Sequence, residues 1–75
     1  MDSIRISPRD NVAVALHPLS KGGIHQNIPL LEDIQQGHKF ALRPIGEGEP
    51  IIKYGYPIGR AKHGIAAGAW VHVHN

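Results

Sequence analysis

Glycine and proline recur so often along this chain that no long helix can form within it. Nine glycines and six prolines interrupt its 75 residues. Each proline removes a backbone donor, and each glycine inside a helix costs about 1 kcal/mol relative to alanine. The longest stretch with helical features is PLLEDIQQG at residues 29–37, which opens on a proline suited to a first turn and closes on a glycine suited to a C-terminal cap. One or two helical turns are the most expected there. Strand character is stronger. Residues 3–6, 12–16, 39–42, 51–54 and 71–74 are short and mostly alternate or run apolar between turn residues. Val12, Val14 and Leu16 share one face of such a strand, and Ala13 and Ala15 the other, where small side chains suggest close approach of another layer. Ile4 and Ile6 likewise share a face. The expected class is all-β, with short strands and one or two short helical turns, in a single domain spanning residues 1–75.

A short pattern runs through the same sequence. Leu19-Ser-Lys-Gly22, Ile34-Gln-Gln-Gly37, Ile45-Gly-Glu-Gly48 and Ile65-Ala-Ala-Gly68 all read aliphatic–x–x–Gly, each followed closely by an apolar residue. The physical reading is one turn, whose aliphatic side chain plugs the core and whose glycine adopts a positive φ that sends the chain into the next strand. The copies are too short and too unevenly spaced for a solenoid. They are a recurring turn device.

Size and charge narrow the function classes. A domain this small buries only about 60% of the surface its unfolded chain exposes. The formal net charge is +2, and the eight Lys and Arg form no basic run, which argues against nucleic acid as a partner. There is no cysteine, hence neither a disulfide framework nor a thiolate metal site; this accords with a cytoplasmic location. No apolar run approaches the ~20 residues that span a bilayer, and no signal-peptide layout is visible at the N-terminus. The sequence also holds no phosphate loop, no G-x-S-x-G and no H-E-x-x-H. Its six carboxylates form no evident acid–base pair. By itself the chain does not read as a complete enzyme.

Three polar clusters carry what chemistry there is. At the C-terminus, Val71-His72-Val73-His74-Asn75 places His72 and His74 two apart, on one face of a strand whose other face bears the valines. Two neighbouring imidazoles can supply two ligands to iron, manganese or zinc, with a third ligand and water completing a site; the other reading is a pair of solvated histidines at a chain end. The segment Gly37-His38-Lys39-Phe40-Ala41-Leu42 sets two titratable side chains where a turn enters a strand. His38 and Lys39 then point to opposite faces, so only one is expected to look into a given site. Lys39 can pair with a carboxylate or stabilise an enolate as a point charge, or simply lie in solvent. In the run from Lys53 through Tyr54-Gly-Tyr-Pro-Ile to Gly59, the lysine is a second cationic contact and the tyrosines either frame a cleft or flank an ordinary hairpin turn. Trp70 reads as a core or interface anchor in preference to a ligand stacker. His17, His25 and His63 read as loop histidines.

Taken together and in order, DNVAVAL at 10–16, GHKFAL at 37–42, IKYGYPIG at 52–59 and VHVHN at 71–75 resemble the N-terminal region of altronate dehydratases. Galactarate dehydratases and the small subunit of sulfolactate sulfo-lyase belong to the same broad group. Residues 19–31 contribute nothing to the resemblance. It implies a SAF domain with a β-clip fold, joined to or assembled with a larger catalytic domain or subunit. It also implies loss of water from a sugar acid to give a 2-keto-3-deoxy acid, with a divalent metal, iron or manganese, in the complete enzyme. His72 and His74 are then the candidates for metal or leaving-group contact, and Lys39, Lys53 and Asn75 for the substrate. Both an excised domain and a free-standing small subunit satisfy the resemblance, and a homo-oligomer is compatible with it. Two other readings stand beside this one: a sulfo-lyase subunit, which expels sulfite instead of water, and a non-catalytic module that binds a carbohydrate acid or serves assembly.

Overall fold

The computed structural model describes residues 1–72, so the expectations for Val73, His74 and Asn75 fall outside the described residues. The fold is all-β, and no helix forms among the described residues. Its strands are β1 (Ser3–Ile4), β2 (Val12–Ala15), β3 (Ile24–His25), β4 (Ile28–Pro29), β5 (Lys39–Ala41), β6 (Pro50–Lys53), β7 (Tyr56–Arg60) and β8 (Trp70–Val71). Four of them make an antiparallel sheet in the order β1-β2-β5-β8, while β3-β4 and β6-β7 are separate hairpins. No helix of the described residues is long and apolar enough to cross a membrane.

The helical turn expected at 29–37 does not form. Pro29 closes β4, and Ile34 instead makes a reciprocal backbone bridge with Leu19, through Leu19 N–H to Ile34 O at 2.8 Å and Ile34 N–H to Leu19 O at 2.9 Å. A helix of nine residues is marginal by itself, so two bonds to a remote partner displace it.

The four aliphatic–x–x–Gly units fold alike. Gly22, Gly37, Gly48 and Gly68 have φ between 81° and 87°, as the third position of a type II turn requires. In each unit the N–H after the glycine closes the turn, as Gly23 does on Ser20 O and Ala69 on Ala66 O. Each glycine N–H also donates to a distant carbonyl, and the following residue's carbonyl accepts from that same partner. Gly37 and His38 thus clasp Ala15, Gly48 and Glu49 clasp Ala61, Gly68 and Ala69 clasp Ala41, and Gly22 and Gly23 clasp Leu30. The units pair two by two, Leu19 with Ile34 and Ile45 with Ile65.

Each pair closes one of two cores. Leu19 and Ile34 pack with Ala13, Ala15, Leu30 and Phe40, whereas Ile45 and Ile65 pack with Val12, Ala41, Ile51, Ala61 and Val71. The sheet therefore lies between two apolar clusters. The alanines of β2 and β5 are small because a second layer approaches them closely, as the alternation implied. Leu16 and Ile6, beyond the ends of their strands, are exposed.

Polar residues before β2 attach the β6-β7 hairpin. The Asn11 side chain is buried and donates through Nδ2 to Pro50 O at 2.9 Å, while its Oδ1 accepts Ile52 N–H at 2.8 Å. The buried Asp10 carboxylate accepts Gly55 N–H at 2.8 Å and Ser7 N–H at 3.1 Å. Burial by itself would raise the Asp10 pKa, but backbone N–H donors from Gly55, Ser7, Tyr54 and Ile6 outweigh it and hold the group below its ordinary 3.8. A carboxylate depressed in the folded state contributes stability above its unfolded pKa and loses it as pH falls through the folded one. The thermal midpoint is accordingly expected to fall as pH drops below about 4, and Asp10→Asn to flatten that slope. A slope unchanged in the variant would place the acid sensitivity elsewhere.

The two hairpins turn tightly. Gln26 and Asn27 (φ 54° and 63°) join β3 to β4, and Tyr54 and Gly55 (φ 56° and 79°) join β6 to β7. Two successive positive φ values define the hairpin turn that asparagine and glycine favour. Tyr54 takes the place of a residue better suited to that conformation, at a cost of roughly 1–2 kcal/mol.

Candidate functional site

The turn ending at Gly37 delivers His38 and Lys39 to the start of β5, and β8 lies antiparallel beside it with Lys39 opposite Val71 and Phe40 opposite Trp70. This register gathers the polar residues of two distant sequence clusters at one end of the sheet. Trp70 is half-buried against the core that holds Phe40. Its ring is stacked with that of His38 at 5.3 Å and 8°, and meets that of His72 at 4.1 Å and 39°. Trp70 N–H donates to Glu32 Oε2 at 3.0 Å. The tryptophan is thus the core anchor expected of it, and it also holds two imidazoles in a row.

A groove of about 380 Å³ opens on one side of this row, lined by Lys39, Ile51, Ile58, Gly59, Arg60, Val71 and His72. A second, of about 260 Å³, shares Lys39, Val71 and His72 with it and adds Gly37, His38 and Trp70. On the far side of Trp70 lies a third hollow, bordered by Glu32, Asp33, Gln35 and His38. The stack separates a cationic groove from an acidic one.

The floor of the first groove is apolar and its polar groups are all donors or bases. Arg60 Nη1 donates to Gly48 O at 2.8 Å, so the turn ending at Gly48 orients the guanidinium. Neither Lys39 nor Arg60 joins an ion pair among the described residues, whose pairs are His17 and His25 with Asp2 and Arg43 with Glu49. Among the described residues no carboxylate lines this groove. Two cations over an apolar floor can hold a small organic anion, with bidentate geometry available from the arginine.

Of the residues singled out in sequence, Lys39 and His72 meet in this groove. Lys53 does not: it lies at the end of the β6-β7 hairpin with Nζ 4.8 Å above the Tyr54 ring. His74 and Asn75 fall outside the described residues. His38 and Lys39 both border the second groove, with His38 turned onto Trp70. Arg60 is the residue that the sequence reading missed. It was hidden because residues 56–60, with Pro57 and Gly59, look like a break and form a strand. The signal was Tyr54-Gly55, a two-residue hairpin turn that would have set Arg60 opposite Pro50.

Of the two histidines expected to ligate a divalent metal, only His72 lies among the described residues. No three His, Cys, Asp or Glu among them are placed to hold one, and the imidazole of His72 shares its groove with two cationic side chains. The donor set suits an anion.

A protein family described as the altronate/galactarate dehydratase SAF domain matches residues 1–75. Altronate dehydratase of Escherichia coli (strain K12) is 49% identical over 79 residues, covering 100% of this chain and 16% of that protein. Altronate dehydratase of Bacillus subtilis (strain 168) is 45% identical over 76 residues, covering 96% of this chain and 15% of that protein. The (2R)-sulfolactate sulfo-lyase subunit alpha of Chromohalobacter salexigens is 51% identical over 39 residues, 52% of this chain and 42% of that one. This chain therefore spans about one sixth of the length of each of these two dehydratases.

Proposed function

The chain belongs to the altronate/galactarate dehydratase SAF domain family, and we propose that it serves as the small module of a sugar-acid hydro-lyase, holding the substrate's carboxylate beside a larger catalytic unit. The observation that carries this reading is the meeting of Lys39, Arg60 and His72 on one groove, which no carboxylate lines among the described residues. The relatives supply the reaction class, since two are dehydratases of a sugar acid many times longer than this module.

In the proposed reaction a base on the larger unit removes the proton α to the carboxylate. Lys39 and Arg60 hold the carboxylate and balance the negative charge that spreads into it as the enediolate forms. His72 stands over the departing hydroxyl and gives it a proton, so that it leaves as water. The enol then tautomerises to the 2-keto-3-deoxy acid. Any divalent metal in the complete enzyme is assigned to the larger unit, with no ligand proposed among the described residues. A cytoplasmic location follows from the same metabolic reading.

The test is kinetic and uses the complete enzyme. Lys39→Ala removes a charge-assisted contact worth about 1.5–3 kcal/mol, which is expected to lower kcat/KM for altronate roughly 10- to 100-fold, mainly through KM. His72→Ala is expected to lower kcat instead. Turnover unchanged in both variants would leave the module a structural role only. The sulfolactate relative favours one other reading, elimination of sulfite from a substrate that carries both a carboxylate and a sulfonate. Sulfite release from sulfolactate, with no dehydration of altronate, would select it.

A further inference from the structure

The groove is open to solvent along β7, and the same strand carries the well-exposed ring of Tyr56. Tyr54, Tyr56 and Ile58 are 51%, 73% and 51% exposed, and all five residues of β7 are exposed. Tyr56 pairs with Lys53 and Arg60 with Pro50, and because the ladder shifts register between Ile51 and Ile52 the two lie on opposite faces of β7; Ile58, Gly59 and Arg60 line the groove. Exposed aromatic and apolar side chains thus extend along β7 from the hairpin tip to the wall of the site. Surfaces of this composition, rich in tyrosine and flanked by an arginine, are those that protein partners cover.

Charge specifies the partner. Residues 50–75 contain Lys53, Arg60 and Lys62 and no Asp or Glu at all, so that all six carboxylates lie in the first 49 residues. The surface that fits this hairpin has an apolar centre and an acidic margin. Pro57 decides the manner of contact. It lies within β7 and has no N–H to donate, so an added strand would meet an interrupted ladder, and the partner packs on side chains instead. Tyr54 points the same way. It holds a left-handed conformation that glycine or asparagine would adopt more easily, and its ring, with the Lys53 ammonium above it, stands at the tip.

We propose that the β6-β7 hairpin is the docking surface for the larger catalytic unit, which seats an acidic-rimmed apolar patch on Tyr54, Tyr56 and Ile58 and closes the open side of the groove. This rests on the reading of the chain as a hydro-lyase module, and the matched dehydratases, in which the corresponding region is about one sixth of the protein, leave ample chain to supply such a unit. The site would then lie between module and unit, with Lys39, Arg60 and His72 on one wall and the base on the other.

Nitration of the complete enzyme with tetranitromethane, read by mass spectrometry, tests this on the unaltered protein. Tyr54 and Tyr56 are expected to react about tenfold or more slowly than free tyrosine, as rings in a solvent-excluded interface do. Nitration of both at the rate of free tyrosine overturns the proposal. A second measurement uses Tyr56→Asp with Ile58→Asp, which is expected to free the hairpin and restore nitration of Tyr54; continued protection of Tyr54 would show that another surface covers it and would also overturn the proposal. Lys39→Ala separates the two readings. Protected tyrosines with turnover unaffected by Lys39→Ala would keep the docking surface and refute the carboxylate role, whereas reactive tyrosines refute the docking whatever Lys39→Ala does.

Discussion

Gly68→Ala is expected to abolish the cooperative thermal transition, while the same change at Gly22, Gly37 or Gly48 only lowers its midpoint. The four glycines share a turn, a positive φ and a clasp. At Gly22, Gly37 and Gly48 an added methyl meets nothing within 4 Å, so alanine costs only its left-handed conformation, about 1–2 kcal/mol. In a domain of this size that lowers the midpoint by roughly 5–15 °C. At Gly68 the methyl would run into the backbone of Pro29 and Leu30, with Pro29 O nearest. Backbone does not yield as a flexible side chain does, and Leu31 N–H donates to Gly68 O at 3.0 Å in the same place. The turn must move away, which opens the clasp on Ala41 and with it the bond between β5 and β8. Several further kcal/mol are lost from a total of about 5–15. Far-UV circular dichroism during heating distinguishes the cases; equal shifts at all four positions would show that the approach to Pro29 carries no weight.

Asn11→Leu is expected to be nearly as severe. The side chain is 1% exposed and uses both ends of its amide, one on Pro50 O and the other on Ile52 N–H. Leucine has similar volume but leaves that donor and that acceptor buried without a partner, at about 1–3 kcal/mol each. The β6-β7 hairpin should then detach, and Ile51, Ile58 and Arg60 leave the groove with it. Hydrogen exchange at Ile52 reads the detachment directly. Asn11→Asp is the informative companion. Its ionised carboxylate would still accept from Ile52 N–H but would repel Pro50 O, whereas the protonated acid could donate to that carbonyl. The aspartate variant is thus expected to regain stability as pH falls, until the general loss at acid pH overtakes it. An aspartate variant as stable as the parent at neutral pH would remove Asn11 from the clasp.

How far these features could be read from sequence depended on whether a residue's backbone or its burial carried the information. The glycines of the aliphatic–x–x–Gly units were legible because a positive φ leaves few alternatives, and β2 and β5 because alternation survives in short strands. β7 was not, since Pro57 and Gly59 are tolerated only where one edge of a strand is unpaired, and edges are decided by topology. The hairpin of β3 and β4 was hidden in a polar stretch whose one cue, Asn27 at a hairpin turn, is slight. Lys39 and His72 were assigned to one site only through the family resemblance, since the pairing of β5 with β8 that joins them is set by topology. Arg60 was lost with its strand. Lys53 has the charge the site wants, but the turn at Tyr54-Gly55 leaves it at the hairpin end. Asp10 and Asn11 entered only as the start of the DNVAVAL motif, with no role read for them; their burial exists only once a segment some forty residues away arrives.

The clasps have a further consequence for how the domain comes into being. Ala15 waits for Gly37, Ala41 for Gly68, and Leu30 and Leu31 are held by turns on either side of them in sequence. A chain built on such remote closures loses entropy in looping before any contact rewards it, and folds in roughly milliseconds to seconds where a helical bundle of equal length would need far less. β8 is the last of the described strands to leave the ribosome, and it carries Val71 and leads directly into His72. Until β8 emerges the nascent module therefore has at most three of the sheet's four strands, and the groove that Val71 and His72 line stays incomplete until then.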